Sequence, residues 1–175
     1  MSPTTVILVE PSTERQQEWL ELVAEFDGGH VDGGGFFGVT AAELADPHAF
    51  AQWVETLRAQ ERGEQVPDGF VASTLRWVET EGRLVGTVSL RHELNPFLLQ
   101  VGGHIGYAVR PTARRRGVAT AALAAMLEVA RARGLERALV TCDDDNVGSA
   151  RTIEGNGGVL EDVRDDKRRY WIALT

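Results

Sequence analysis

The sequence has little cysteine, no long apolar run and no excess of positive charge, and each shortage excludes a class of protein. Its one cysteine, Cys142, cannot form a disulfide within the chain, and a metal cluster held by cysteines is excluded. No segment reaches the roughly 18 to 20 apolar residues of a membrane-spanning helix. The N-terminus also lacks the charged start and apolar stretch of a secretory signal. We therefore expect a cytoplasmic protein without a metal cofactor.

Acidic side chains outnumber basic ones by 26 to 18, so the chain of 175 residues carries a net charge of −8. A surface of this sign repels nucleic acid and anionic membranes, and neither is expected as a partner. Hydrophobic residues make up 43% of the chain, and neither a repeat nor a linker divides it. We therefore expect residues 1–175 to form a single domain in which any anionic ligand is bound by a local feature.

Hydrophobic periodicity predicts a strand near the N-terminus, two helices, a β-hairpin from Ser73 and a further strand in HIGYAVR. A helix follows from Gly117 to about Arg133, then the strand RALVTC, a short helix and a last hairpin. The strand, helix and strand around Gly117 require a parallel pair, whereas the hairpins are antiparallel. The sequence thus predicts an α/β fold with a mixed sheet and helices on its faces.

The glycine-rich segment Asp27–Gly38 separates the first two helices and contains GGGFFG, which formally matches the dinucleotide-binding pattern G-x-G-x-x-G. That pattern needs a strand directly before it, and a helix precedes this one. We interpret the segment as a mobile loop, on which Phe36 and Phe37 could line a ligand cleft.

Four arginines in RPTARRRGVAT, Arg110 to Thr120, precede a helix start, where the helix dipole favours negative charge. A bound phosphate would remove this conflict, because free backbone N–H groups at a helix N-terminus bind anions. Gly117 permits close approach of a ligand, and Ala119 keeps the first turn small. A solvated basic patch is the alternative interpretation, while a P-loop is excluded because its lysine motif is absent.

Two motifs resemble the GNAT superfamily of N-acyltransferases. Arg114, Gly117 and Ala119 form the R-x-x-G-x-A arrangement of its acetyl-CoA pyrophosphate loop, and TCDDDNVGSARTIEGNGG resembles the strand and helix that follow. Together with GGHIGYAVRP and SLRHELN, they look like a bacterial subgroup of predicted acetyltransferases. The resemblance implies a three-layer α/β/α fold with a mostly antiparallel sheet and one splayed parallel strand pair. A homodimer is common for this fold.

The resemblance also implies an activity, the transfer of an acetyl group from acetyl-CoA to a primary amine. The acceptor would be a small molecule or a protein, and transfer would be direct, in a ternary complex. The residues implied to bind coenzyme A are Ala108, Val109, Arg110, Arg114, Arg115, Arg116, Gly117, Val118, Ala119, Thr120, Asn146 and Ser149.

For catalysis, we single out His104 as the general base, because it precedes IGY where related acyltransferases often carry a glutamate. A structural histidine is the alternative, and His92 and Glu93 are rival bases. The family pattern places a tyrosine as the acid where this chain has Ile153. Tyr107 is the nearest substitute, with a structural tyrosine in a core strand as its alternative.

Neighbouring polar residues admit further interpretations. Cys142 could accept the acyl group, but a lone cysteine that ends an apolar strand is typical of a small buried residue. Asp143, Asp144 and Asp145 could attract an amine cation or form a solvated turn that caps the next helix. Two other functions stay open at this point: a non-catalytic acyl-CoA-binding or sensing module, and a domain whose arginines meet an acidic partner.

Overall fold

A computed structural model describes residues 2–175, which are built around a seven-stranded sheet in the order β1-β2-β3-β4-β5-β7-β6. The strands are β1 Ile7–Val9, β2 Ser73–Thr80, β3 Arg83–Arg91, β4 Ile105–Val109, β5 Arg137–Asp143, β6 Val159–Arg164 and β7 Lys167–Ala173. All neighbouring strands are antiparallel except β4 and β5, which pair in parallel at Ile105 and Val140. The predicted mixed sheet with one parallel pair is confirmed.

Four α-helices cover the two faces of this sheet: α1 Gln16–Ala24, α2 Pro47–Glu61, α3 Val118–Ala132 and α4 Val147–Gly155. One face packs against α1 and α2 through an aromatic cluster that includes Trp19, Trp53 and Trp77. The opposite face packs against α3 and α4 through aliphatic residues such as Leu123 and Ile153. Successive residues of a strand point to opposite faces, so Trp77 and Val78 enter different clusters. The three-layer α/β/α arrangement follows from this alternation.

A π-helical turn at Leu98–Gly102, which the sequence analysis did not predict, connects β3 to β4. The buried side chain of Arg169 holds it, donating from Nη2 to the carbonyl oxygen of Leu99 at 2.7 Å. Its carbonyl groups lie close to the junction of β4 and β5, and Thr141 donates to the oxygen of Val101.

No helix within residues 2–175 combines the length and the apolar character needed to cross a membrane. Over the same residues, no group of three or more His, Cys, Asp or Glu side chains is arranged to hold a metal ion.

Candidate active site

The N-terminus of α3 exposes backbone donors that nothing in residues 2–175 accepts. The first hydrogen bond of this region runs from the N–H of Ala121 to the oxygen of Gly117 at 3.0 Å, so the N–H groups of residues 118–120 precede it unpaired. Gly117 adopts a left-handed conformation with φ of 77°, and the nearest atom to an added Cβ would be Thr4 Oγ1 at 3.4 Å. The approach to these amides is therefore open.

A cleft of about 520 Å³ begins at these amides and extends to the junction of β4 and β5. Most of the residues implied to bind coenzyme A line it, together with the proposed acid. They are Tyr107, Ala108, Val109, Arg114, Arg115, Gly117, Val118, Ala119, Thr120, Asn146 and Ser149. The tertiary structure thus brings together residues from β4, the loop before α3, the first turn of α3 and α4.

Two of the implied coenzyme A residues do not line the cleft. Arg110 is buried, and its guanidinium donates to Glu25 Oε1 at 2.8 Å and to the oxygen of Leu84 at 3.0 Å. The hydrogen bond from Arg110 lowers the pKa of Glu25 to about 2. Arg116 is exposed, and its carbonyl oxygen accepts a hydrogen bond from the hydroxyl of Thr4. The side chain of Arg110 therefore anchors the end of α1 to β4 and is turned away from the cleft in which it was expected.

Tyr107 places a hydroxyl group where β4 separates from β5. Its oxygen lies 2.6 Å from Ser149 Oγ, and burial raises the pKa of Tyr107 to about 12, so the phenol is protonated at neutral pH. Ser149 is positioned in turn by Asn146, whose side-chain oxygen caps α4 by accepting from the N–H of Ser149 at 3.1 Å. Ile153, at the position where the family carries a tyrosine, is fully buried beneath this group.

His104 does not line the cleft, although the sequence analysis singled it out as the base. Its ring nitrogen Nδ1 accepts a hydrogen bond from the backbone N–H of Leu139 at 2.9 Å. The backbone N–H of His104 donates in turn to the carbonyl oxygen of Leu139 at 2.7 Å. Burial, with help from the charges of Arg91 and Arg137, lowers the pKa of His104 to about 4. Both interactions join the start of β4 to β5, so His104 has a structural position.

The two rival bases, His92 and Glu93, also lie outside the cleft. His92 lies 2.8 Å from Thr74 Oγ1 through Nε2, and 3.0 Å from Arg133 through Nδ1, while Glu93 is exposed. Neither His92 nor Glu93 lines the cleft. The base of an amine reaction must lie within hydrogen-bond reach of its proton, directly or through one water.

The structure instead brings His30 and Asp32 to the cleft, which the sequence analysis missed. His30 Nε2 lies 3.0 Å from Asp32 Oδ1, and both side chains are exposed. Both belong to the glycine-rich loop, which is fixed on the sheet because Thr87 donates to the oxygen of Gly33 at 2.8 Å. Nothing in the spacing of the loop indicates this contact, since it depends on where the loop meets β3 and β4.

The phenylalanines of the same loop do not line the cleft. Phe36 packs against Trp19, with ring centroids 5.5 Å apart, and Phe37 lies against Phe70 at 5.2 Å. An aromatic wall of the cleft comes instead from Phe26, over which the Arg114 guanidinium lies 5.7 Å from the ring centroid.

Cys142 and the acidic run after it are engaged in the fold. Burial raises the pKa of the Cys142 thiol, which disfavours the thiolate needed for nucleophilic attack. Asp143 forms an ion pair with Lys167, and Asp144 accepts from Arg168 Nε at 2.7 Å. These two carboxylates hold the last hairpin against β5.

Comparison with known proteins agrees with this architecture. Residues 39–157 match the profile of the acetyltransferase (GNAT) family, which covers more than half of the chain. The chain belongs to the GNAT family of acetyltransferases. A comparison with curated protein sequences found no significant match.

Solved structures with the same fold include several acetyltransferases. RimJ of Mycobacterium smegmatis, in complex with CoA-disulfide, superposes with a TM-score of 0.72 at 19% identity, over 96% of this chain and 81% of its own. RimL, a ribosomal L7/L12 alpha-N-protein acetyltransferase in complex with coenzyme A, superposes with a TM-score of 0.68 at 15% identity, over 98% of this chain and 95% of its own. The microcin C7 self-immunity acetyltransferase MccE, in complex with acetyl-CoA and AMP, superposes with a TM-score of 0.65 at 15% identity, over 96% of this chain and 92% of its own. At these identities the likeness establishes the fold of this GNAT acetyltransferase.

Proposed function

We propose that this protein transfers an acetyl group from acetyl-CoA to a primary amine, directly and within a ternary complex. The observation that carries the proposal is the row of unpaired amides at the start of α3, which opens into a cleft ending where β4 and β5 separate. Anions bind at such helix N-termini, so the pyrophosphate of coenzyme A fits the amides of residues 118–120. The complexes of RimL with coenzyme A and of MccE with acetyl-CoA support the proposal by analogy of fold.

The backbone of β4 offers donors for the oxyanion that forms during acyl transfer. Arg110 donates its N–H to the oxygen of Val85 in β3, and donors alternate along a strand. The N–H groups of Tyr107 and Val109 therefore face away from β3, toward the region where β5 no longer pairs with β4. Preorganised backbone donors of this kind stabilise a tetrahedral oxyanion.

His30 is the group that we propose as the general base. In the tautomer with the proton on Nε2, that N–H donates a hydrogen bond to Asp32. The other ring nitrogen, Nδ1, is then free to accept a proton from the amine. A carboxylate that orients a histidine in this way also stabilises the imidazolium that forms. Attack by the amine then breaks the thioester, and coenzyme A leaves as the thiolate.

The proposed function is tested by calorimetry with acetyl-CoA and by release of free thiol in the presence of amines. We expect binding with a Kd between about 1 µM and 1 mM, and thiol release that depends on the amine. The amine panel should contain amino acids, polyamines, aminoglycosides and peptides with free N-termini. Binding without amine-dependent thiol release would favour the acyl-CoA-sensing module, and absence of binding would exclude both.

Tyr107→Phe is expected to lower kcat by about tenfold, less than the roughly 100-fold or more of a strong general acid, because a thiolate leaves readily. The hydroxyl, protonated at neutral pH, would donate to the departing sulfur. The measurement is steady-state thiol release, with the acetyl-CoA Kd as a control that should stay within about twofold. An unchanged kcat would remove Tyr107 from the mechanism.

A further inference from the structure

Arg91, at the end of β3, is a partly buried arginine that has no carboxylate within ion-pair distance among the described residues. Its guanidinium makes one hydrogen bond, from Nη1 to the oxygen of Gly102 at 3.2 Å. Within residues 2–175 it forms no ion pair, and burial lowers the pKa of Arg91. A guanidinium carries five N–H donors, so most of its capacity is unused.

The other arginines of comparable burial all have a carboxylate within ion-pair distance. They are Arg15, Arg76, Arg110, Arg164, Arg168 and Arg169. Taking an arginine out of water without a counter-charge is unfavourable, and buried charges are normally paired. Arg91 is therefore the exception among these arginines, and its unused donors, which are not sealed from solvent, are available to an anion that is not part of the chain.

Arg91 does not itself line the cleft, but it lies next to residues that do, on the face of the sheet opposite α3. A Cβ added to Gly106 of β4 would lie 3.3 Å from Arg91 Nη1 and 3.2 Å from the nitrogen of Gly33. The next residue of β4 is Tyr107, and Asp32 precedes Gly33 in the loop; both line the cleft. The Asp32 carboxylate also acts electrostatically on Arg91 and Tyr107.

We place the acceptor on this face of the sheet. The coenzyme A residues of α3 lie on the other face of the sheet, and His30 and Asp32 line the cleft from the loop. A cation at Arg91 and an anion at Asp32 thus lie on the acceptor side, beside the proposed base His30. Such a pair complements a molecule that carries both an amine and an anionic group.

The loop restricts the size of that molecule. A Cβ added to Gly33 would come within 2.3 Å of the oxygen of Gly106, which means that the loop backbone lies directly against β4. The loop therefore narrows the approach to Arg91, and we expect it to admit a small molecule but not the surface of a folded protein.

We propose that the acceptor is a small amine that also bears a carboxylate, such as an α-amino acid, and that Arg91 binds this carboxylate. The proposal rests on the proposed acetyl transfer. The guanidinium binds the carboxylate of the acceptor through paired N–H donors. The carboxylate of Asp32 attracts the ammonium group of the acceptor before His30 removes a proton from it. Arg91 would then determine specificity without touching the thioester.

The test compares each α-amino acid with its own carboxamide, which has the same side chain and amine but no negative charge. In the unsubstituted protein, kcat/KM for the acid should exceed that for the amide by about tenfold or more, through KM. Arg91→Met should bring this ratio close to one, because it lowers kcat/KM for the amino acid and leaves kcat/KM for the carboxamide unchanged. Arg83→Met, an exposed arginine at the other end of β3 without an ion pair, is the matched control and should keep the ratio.

Binding of the N-acetyl amino acid and of its amide, measured by calorimetry with coenzyme A present, gives a readout that does not require turnover. The unsubstituted protein should bind the acid more tightly, and Arg91→Met should lose this preference while the acetyl-CoA Kd stays the same. Equal binding of acid and amide, or a preference that survives Arg91→Met, overturns the proposal. A peptide N-terminus acetylated at least about tenfold faster than any amino acid also overturns it. Lack of turnover with every amine counts against the proposed function, while the binding comparison still decides on Arg91.

Discussion

Gly117→Asp is expected to weaken acetyl-CoA binding by about 100-fold or more, which corresponds to roughly 2.7 kcal/mol. The substitution adds a carboxylate directly before the unpaired amides of residues 118–120, where the pyrophosphate is proposed to bind. Aspartate is also a good N-cap, so its side chain would take the donors that the phosphate needs. The measurement is calorimetric titration with acetyl-CoA.

The matched control is Gly134→Asp, close to the C-terminal end of the same helix. Gly134 also has a left-handed φ, of 91°, and no atom lies within 4 Å of an added Cβ. The variant therefore carries the same backbone strain and the same change in charge, but far from the cleft. Both variants should remain folded by circular dichroism, since neither added Cβ meets a backbone atom within 3.4 Å. Unchanged affinity in Gly117→Asp would contradict the proposed coenzyme A site.

His30→Ala is expected to lower kcat by about 100-fold with little change in acetyl-CoA affinity, the usual loss when a general base is removed. The side chain lines the cleft beside Asp32, whereas the residues proposed to bind coenzyme A lie on α3, α4 and β4. The measurement is thiol release at saturating acetyl-CoA with the best amine of the panel. A kcat within about twofold of that of the unsubstituted protein would contradict the assignment of His30 as the general base.

His104→Asn serves as the comparison, because asparagine keeps an acceptor near the position of Nδ1. We expect kcat to stay close to that of the unsubstituted protein, while the pH dependence of stability changes. The pKa of His104 is about 4 in the folded protein and near 6.5 when unfolded, so between these values the unfolded chain binds the proton. Stability is thus retained above about pH 6.5 and falls toward pH 4, by at most about 1.4 kcal/mol per pH unit. The free energy of unfolding of His104→Asn should decline less between pH 7 and 5 than that of the unsubstituted protein.

The elements of the fold were predictable because their signals are local. Period-two patterns marked the hairpin of β2 and β3, and the glycine-ended helix α3 between two apolar strands required a parallel pair. The loop proposed to bind coenzyme A could be picked out for the same reason, since its amides, glycine and arginines are contiguous in the sequence. The ion pair of Arg110 with Glu25, at the end of α1, could not be foreseen, because such a distant partner leaves no trace in the local pattern.

The proposed acceptor side could not be predicted, because its groups come from segments distant in the sequence. His104 has the right chemistry and stands beside the right strand, but its ring points to the backbone of β5. His30 and Asp32 sit in a loop without regular structure, and only its contact with Thr87 and Gly106 brings them to the cleft. The lack of a partner for Arg91 likewise becomes visible only when all neighbouring carboxylates are placed.

By itself, the sequence determined the order of strands and helices, the mixed sheet, the family and the candidate anion site at the start of α3, because short-range spacing and backbone chemistry specify each of these. Only the tertiary structure decided which titratable groups face the cleft, because burial and hydrogen bonding depend on residues that lie far apart along the chain. It gave His104 a structural position, moved the proposed base to His30, and left Arg91 without an ion-pair partner among residues 2–175.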